Sequence, residues 1–115
     1  MKRTFLVVAA LSLVLYACGG DDAHPDVTAA RDAASVAAGG DVFAANCAVC
    51  HGADLTGGSG PNLITSELSH PDSDFVDAIT NGKGDMAAFG TTLSSEEIAQ
   101  VVDFVRSAQA AGLEE

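Results

Sequence analysis

The clearest hydrophobic pattern in the chain lies near its C-terminus. Apolar residues recur there at the i, i+3, i+4 and i+7 positions of one helical face, at Ile98, Val101, Val102 and Val105, and Phe104 widens that face. The residues between them are mostly polar or small. The pattern predicts an amphipathic helix that packs one face against a core.

The ends of this helix are predicted from local chemistry. Ser94 and Glu97 form a Ser-x-x-Glu capping box, in which each side chain accepts a hydrogen bond from the other residue's backbone N–H. Leu93 and Ile98 occupy the positions of a hydrophobic staple around that box. Gly112 is expected to end the helix, because glycine readily adopts the conformation of a C-cap.

A first helix is predicted over residues 36–47, where Val36, Phe43 and Cys47 share one face with Gly39. Gly39 and its neighbour Gly40 each cost about 1 kcal/mol relative to alanine inside a helix. This glycine pair indicates either a close helix crossing or a helix that begins only near residue 41.

Another helix is predicted over residues 71–81, with Phe75, Val76 and Ile79 as its apolar stripe and Gly82 as a left-handed C-cap. The sequence has neither an internal repeat nor the alternating pattern of a β-strand. The fold class is therefore expected to be all-α, with three main helices.

The segment between the first two helices is unusually long for a small domain. Residues 52–69 follow neither a helical nor a strand period, and such loops are uncommon unless they wrap a ligand. The predicted domain as a whole, residues 36–115, has four aromatic residues, which are Phe43, Phe75, Phe89 and Phe104. So few large side chains make a marginal core, which indicates a bound apolar group.

The N-terminus has the features of a targeting segment. Lys2 and Arg3 precede an apolar run over residues 5–17, which is too short for a membrane span of about 20 residues and is typical of a secretory signal peptide. The run ends in Leu-Tyr-Ala-Cys, which resembles the bacterial lipoprotein signal, although Tyr16 replaces the usual small residue. The resemblance implies cleavage of residues 1–17 and acylation of Cys18. Ordinary cleavage and a retained anchor are the alternatives.

Charge and composition extend this interpretation. Residues 18–35 are rich in Gly, Asp and Ala and are expected to form a flexible acidic tether, in which His24 is solvated, ahead of a domain at residues 36–115. The formal net charge is −11 and becomes −13 once Lys2 and Arg3 are removed. This acidity excludes nucleic acid as a partner and favours redox partner proteins with basic docking patches.

The candidate chemistry lies in a Cys-x-x-Cys-His motif formed by Cys47, Cys50 and His51. In an exported chain this motif indicates covalent haem attachment, with two thioethers and a histidine on the iron. A thioredoxin-like redox motif would be expected beside a βαβ pattern, which is missing here. A zinc site would require four ligands, and Cys18, His24 and His70 do not supply a recognisable second half.

Met86 is the predicted sixth ligand of the haem iron. It is the only methionine besides the initiator and lies in a Gly-rich loop rather than on an apolar helical stripe. His70 is the alternative ligand, but it directly precedes Pro71 at a predicted helix start, which favours a surface or capping role.

Residues 36–107 resemble a small class I, monohaem c-type cytochrome. The resemblance implies the cytochrome c fold, with three main helices and a long loop wrapped around one covalent haem c. Gly39 and Phe43 match positions of the family's N-terminal helix, and Phe104 matches the aromatic residue of the C-terminal helix against which they pack. Within residues 60–63, the Gly-Pro-x-Leu pattern implies that the Pro61 carbonyl accepts a hydrogen bond from His51. Ala87 departs from the family, which often has proline after the methionine.

The expected function is one-electron transfer on the periplasmic side of a bacterial membrane, by a lipid-anchored carrier rather than an enzyme. An iron with two protein ligands has no open position for substrate, and methionine ligation raises the reduction potential. Two alternatives stay open. The first alternative is a fixed electron-transfer subunit of a larger oxidoreductase. The second is a haem enzyme or sensor in which Met86 leaves the iron.

Overall fold

The computed structural model describes residues 31–66 and 68–113 of the 115-residue chain. This part of the chain contains four helices and no strand: α1 (Ala33–Asn46), α2 (Ala48–His51), α3 (Asp72–Asn81) and α4 (Ser95–Leu113). The all-α prediction is therefore confirmed. The predicted signal peptide, Cys18 and His24 lie outside the described residues.

The first helix begins earlier than the sequence pattern indicated. Asp32 is its N-cap, and one of its carboxylate oxygens accepts a hydrogen bond from Ser35 N at 2.9 Å. The preceding residue, Arg31, forms ion pairs with Asp72 and Asp103. The expected tether boundary at residue 35 was thus too late, since residues 31–35 already contact the folded domain. The tether proposal now concerns residues 18–30.

Helices α1 and α4 cross at Gly39. A Cβ atom on Gly39 would lie 1.9 Å from the backbone oxygen of Gln100, so only glycine permits this approach. Phe43 and Phe104 pack beside the crossing, with ring centroids 5.2 Å apart at an interplanar angle of 47°. Of the two explanations for the glycine pair, the close crossing is confirmed.

The start of α4 agrees with the predicted capping box. Ser94 N donates to Glu97 Oε2 at 2.8 Å, and Glu97 N donates to Ser94 Oγ at 3.1 Å. The predicted end was wrong, because the helix continues through Gly112 to Leu113. A Cβ at Gly112 would lie 2.7 Å from Ile64 Cγ2, so this glycine allows the long loop to approach α4.

The buried face of α4 forms most of the core together with Phe43, Leu55 and Ile79. Its own buried apolar residues are Ile98, Val101, Val102 and Val105. Over the described ranges, none of the helices combines the length and the hydropathy needed to cross a membrane. The helices enclose one side of a cavity, and the loops on either side of α3 complete it.

Candidate functional site

The Cys-x-x-Cys-His motif begins at Cys47, the N-cap of a separate one-turn helix, α2, which contains Cys50 and His51. Helix α1 ends at Asn46, and the chain turns so that Cys50 N and His51 N both donate to Cys47 O, at 3.1 and 3.0 Å. The sequence pattern did not distinguish this helix from α1. The turn places both cysteines and His51 on the lining of the same cavity.

The two cysteines differ in environment. Both are free thiols, with Cys47 buried and Cys50 exposed. Burial raises the pKa of the Cys47 thiol to about 11, and the nearby Cys50 adds to the shift. Cys47 is therefore a neutral thiol at pH 7 before it is modified.

His51 is held by its second ring nitrogen. The residue is 8% exposed, and its Nδ1 lies 3.0 Å from the carbonyl oxygen of Pro61. An Nδ1–H that donates to this carbonyl leaves Nε2 with the lone pair that a metal requires. A Cβ on Gly60 would lie 3.0 Å from two atoms of the ring, so Gly60 also packs closely against it.

The loop from α2 to Pro61 is compact. Gly57 N donates to His51 O at 2.8 Å and Gly60 N donates to Cys50 O at 2.7 Å, which ties the loop to the end of α2. Leu55 has a φ of 64°, uncommon for a non-glycine residue, and its side chain is 4% exposed in the core. The start of the long loop therefore packs as part of the domain.

The Met86 loop is closed by backbone hydrogen bonds. Lys83 and Met86 form an isolated antiparallel bridge, with N···O distances of 3.3 and 3.0 Å. Phe89 N donates to Ile79 O at 2.8 Å, which ties the end of the loop to α3. These bonds supply order in a loop that has alanine where the family often has proline.

Gly82 joins α3 to this loop. Its N–H donates to Ala78 O at 2.9 Å, as expected for the predicted C-cap. Its φ of 79° and ψ of 163° belong to the extended mirror region rather than to the left-handed helical region. A Cβ at this position would lie 2.7 Å from Met86 O, so the loop requires glycine here.

All five residues predicted for the haem site line one cavity of about 880 Å³. The volume falls within the range of roughly 300–1,000 Å³ typical of cofactor pockets. Its apolar walls are formed by Phe43, Leu63, Phe75, Ile79, Phe89, Val101 and Val105. Val102 is buried in the core, whereas Val101 and Val105 line the cavity. An apolar cavity with two free thiols, an imidazole and a thioether fits a covalent haem.

His70 also lines the cavity. Its Nδ1 is 2.9 Å from Asp74 Oδ2, and its side chain is 43% exposed. It therefore lies at the cavity mouth, bonded to the first turn of α3. Among residues 31–66 and 68–113, no group of three or more His, Cys, Asp or Glu side chains is arranged to hold a metal ion.

A buried polar cluster behind the cavity was not predicted. Arg106 and Gln109 on α4 are both 0% exposed. Arg106 donates to Asp72 Oδ1 at 2.8 Å and to Gln109 Oε1 at 2.9 Å, and Gln109 donates to Leu63 O at 2.8 Å. Their spacing offered a hint, since each lies four residues after a buried valine and thus on the buried face of α4.

Comparisons with known proteins identify the family. The family model described as cytochrome C oxidase, cbb3-type, subunit III matches residues 34–105. Cytochrome c-551 of Bacillus subtilis is 37% identical over 88 residues, which cover 74% of this chain and 79% of that protein. The cbb3-type cytochrome c oxidase subunit FixP of Azorhizobium caulinodans is 39% identical over 77 residues, 56% of this chain but 26% of FixP.

A solved structure supports the same conclusion. Cytochrome c6 from the diatom Phaeodactylum tricornutum superposes with a TM-score of 0.59 and 36% identity, over 67% of this chain and 97% of that chain. Helices around a Cys-x-x-Cys-His cavity define a c-type haem protein. The chain belongs to the class I c-type cytochrome family, and its cofactor is covalent haem c.

Proposed function

We propose that this cytochrome is a lipid-anchored one-electron carrier whose haem iron is bound by His51 and Met86, and that it is not an enzyme. The observation that carries the proposal is that His51 and Met86 line the same apolar cavity from different elements, α2 and the loop after α3. Imidazole and thioether ligands leave no open coordination position, which suits electron transfer and disfavours substrate chemistry.

The haem supplies a reversible one-electron couple when it is bound. The residues of the chain keep its environment constant between the two states. Pro61 orients the His51 ring through the 3.0 Å contact. The backbone bridge between Lys83 and Met86 holds the methionine loop. The apolar walls exclude water, which together with methionine ligation favours a raised potential.

Carbon monoxide binding tests the ligand assignment. The reduced holo-protein is expected to keep its absorption spectrum when carbon monoxide is added at neutral pH, because both axial positions are filled. Met86→Ala should bind carbon monoxide, whereas His70→Ala, which changes another residue of the cavity, should not. Binding by the unmodified protein, or by His70→Ala alone, would contradict the assignment and favour the enzyme or sensor interpretation.

The docking surface is proposed to surround the cavity mouth. Val49 is 85% exposed, and Val49 and Ala87 both line the cavity, with the exposed acids Asp74 and Asp85 beside them. The exposed Lys83 also lines the cavity, so the rim has two acids and one base, on a chain whose net charge is −11. Small apolar residues within such a rim suit brief encounters with a basic redox partner. The rate of electron exchange with such a partner should fall as ionic strength rises. A rate that is flat or rises with salt would contradict this surface.

The membrane anchor is proposed to be lipid on Cys18, which lies outside the described residues. Several acyl chains hold a protein firmly on a membrane, whereas one chain binds only marginally. Cys18→Ser should release a red, exported protein into the soluble fraction. A Cys18→Ser protein that stays with the membrane would indicate a retained signal anchor.

A second candidate is a fixed subunit of a larger oxidoreductase. The observation that favours it is the match to a family model of an oxidase subunit and to FixP, of which this chain spans about a quarter. The carrier is favoured because the chain covers 79% of cytochrome c-551. Purification in mild detergent separates the two, since a fixed subunit would co-purify with its partner in constant ratio.

A further inference from the structure

A buried positive charge lies directly behind the wall of the haem cavity. Arg106 is 0% exposed, and its guanidinium carbon is 4.2 Å from the ring centroid of Phe75, which lines the cavity. Arg106 also donates a hydrogen bond to the carbonyl oxygen of His70, another residue of the lining. One layer of protein therefore separates this guanidinium from the cavity.

The charge is balanced on the side away from the cavity. Asp72 Oδ1 lies 2.8 Å from Arg106 Nε, and Asp72 Oδ2 lies 2.8 Å from Arg31. Asp72 is not part of the cavity lining, and its side chain is 27% exposed against 0% for Arg106. Arg106 is thus the member of the pair that is in contact with the cavity wall and less screened by water.

The two charges have opposite effects on a haem couple. The oxidised haem has one more positive charge than the reduced haem, so a nearby cation disfavours oxidation and a nearby anion favours it. Charges interact strongly through a low-dielectric interior. The charged residues at the mouth, Asp74, Lys83 and Asp85, are exposed and are more strongly screened by solvent.

We propose that the Arg106–Asp72 pair sets the reduction potential of the haem, with Arg106 raising the potential and Asp72 lowering it. The pair has a structural role as well, because it joins α3 to α4. The proposal goes beyond the electron-carrier function and does not depend on which residue is the sixth ligand. The direction of the shift in reduction potential distinguishes this proposal from a purely structural role. Loss of either partner weakens the same contact, but it changes the local charge in opposite directions.

Redox titration of the holo-protein, followed by absorbance, tests the direction of each shift in reduction potential. Arg106→Met is expected to lower the equilibrium constant for reduction by a reference couple by about tenfold, which corresponds to about 59 mV for one electron. Asp72→Asn is expected to raise it by a similar or smaller factor, because Asp72 is more exposed. The double variant should return towards the unmodified protein.

Two further variants serve as controls, one for packing at Arg106 and one for the removal of a surface charge. Arg106→Lys keeps the positive charge but loses the planar hydrogen-bonding fork, and it should hold the potential near that of the unmodified protein. Glu96→Gln removes an exposed acid on α4 and sets the size of a screened surface effect. If Arg106→Met does not fold, Asp72→Asn and Arg106→Lys still decide the outcome.

The proposal is overturned if Asp72→Asn lowers the potential or shifts it no more than Glu96→Gln. It is equally overturned if Arg106→Lys shifts the potential as far as the loss of charge is expected to. The absorption spectrum of each reduced variant must match that of the unmodified protein, so that a change of axial ligand, which would bear on the carrier proposal, is recognised separately.

Discussion

The two sides of the haem cavity are held in different ways. On the His51 side, a buried ring is fixed by a side-chain hydrogen bond to Pro61 and by close contact with Gly60. On the Met86 side, the bonds that hold the loop are backbone bonds, formed between Lys83 and Met86 and between α3 and the end of the loop. The methionine side chain itself is half-buried.

This difference indicates which side is more easily disturbed. The orientation of the His51 ring is determined directly, because one nitrogen is bonded and the ring is enclosed. The position of the thioether depends on the conformation of a loop, and loops open at lower free energy than packed helices. The methionine side is therefore expected to give way first.

The largest effect is expected from removal of the proposed histidine ligand, with removal of the methionine as its comparison. His51→Ala should lower the free energy of unfolding by about 2–4 kcal/mol, because it removes a buried ring and leaves a polar carbonyl unpaired. Met86→Ala should cost about 1–2 kcal/mol, because its side chain is only half-buried. Chemical denaturation of the holo-proteins measures both. Met86→Leu is the matched control, which should recover stability but not the ligand. Equal losses at the two positions would contradict the comparison.

The glycine at the start of the methionine loop offers the next test. Gly82→Ala should cost about 2–3 kcal/mol and loosen Met86, because it forces alanine to a φ of 79° and brings its Cβ within 2.7 Å of Met86 O. Gly84→Ala is the control, since Gly84 also has a positive φ but no heavy atom lies within 4 Å of the added Cβ. It should cost about 1 kcal/mol.

The readouts for the glycine pair are the free energy of unfolding and the binding of an exogenous ligand to the haem. Gly82→Ala should gain ligand binding that Gly84→Ala lacks. If both variants behave alike, backbone strain alone accounts for the cost and the contact with Met86 O is unimportant.

Acid should weaken the helix that leads into the methionine loop. Burial alone would raise the pKa of Asp72, but hydrogen bonds and charges from Arg31 and Arg106 outweigh it and lower that pKa below its ordinary value of 3.8. The pair therefore stabilises the fold above that ordinary value, and its contribution is lost as pH falls through the lowered pKa.

Asp72→Asn should thus lose about 1–2 kcal/mol at pH 7 and show a shallower loss of stability on acidification. Thermal unfolding at a series of pH values measures this. Asp77→Asn is the control, because Asp77 is an exposed acid on the same helix and interacts only with Asn81 among the described hydrogen bonds. If the loss of thermal stability at acid pH were the same in Asp72→Asn as in the unmodified protein, the role assigned to Asp72 would be contradicted.

The smallest effect is expected from introducing the proline that other family members often have after the methionine. The backbone bonds described for residues 79–90 do not use the N–H of Ala87. Ala87→Pro should therefore stabilise the protein by about 0.4–1 kcal/mol, by restricting the unfolded chain, and should slow replacement of Met86 by an added ligand. A destabilised Ala87→Pro protein would show that the backbone at Ala87 is incompatible with proline.

Local features were predictable because their causes are local. The capping box of Ser94 and Glu97 depends on residues three apart in sequence, whereas the two explanations of Gly39 stayed open until the structure showed that α1 crosses α4 there. The start of α1 was missed because Asp32 caps a helix whose first residues are alanines, which a search for apolar spacing does not detect. Helix α2 was missed because four residues are too few to show a period.

The sequence alone determined the haem chemistry and the helical class. Cys-x-x-Cys-His is a contiguous motif, and helical periodicity is written within each segment. Only the tertiary structure decided which residues share the cavity. The ion pair between Arg31 and Asp103 joins residues 72 positions apart, and Arg106 meets Asp72 across 34. The packing of whole helices determines which of these residues come into contact, because a buried charge is costly unless the fold brings an opposite charge next to it.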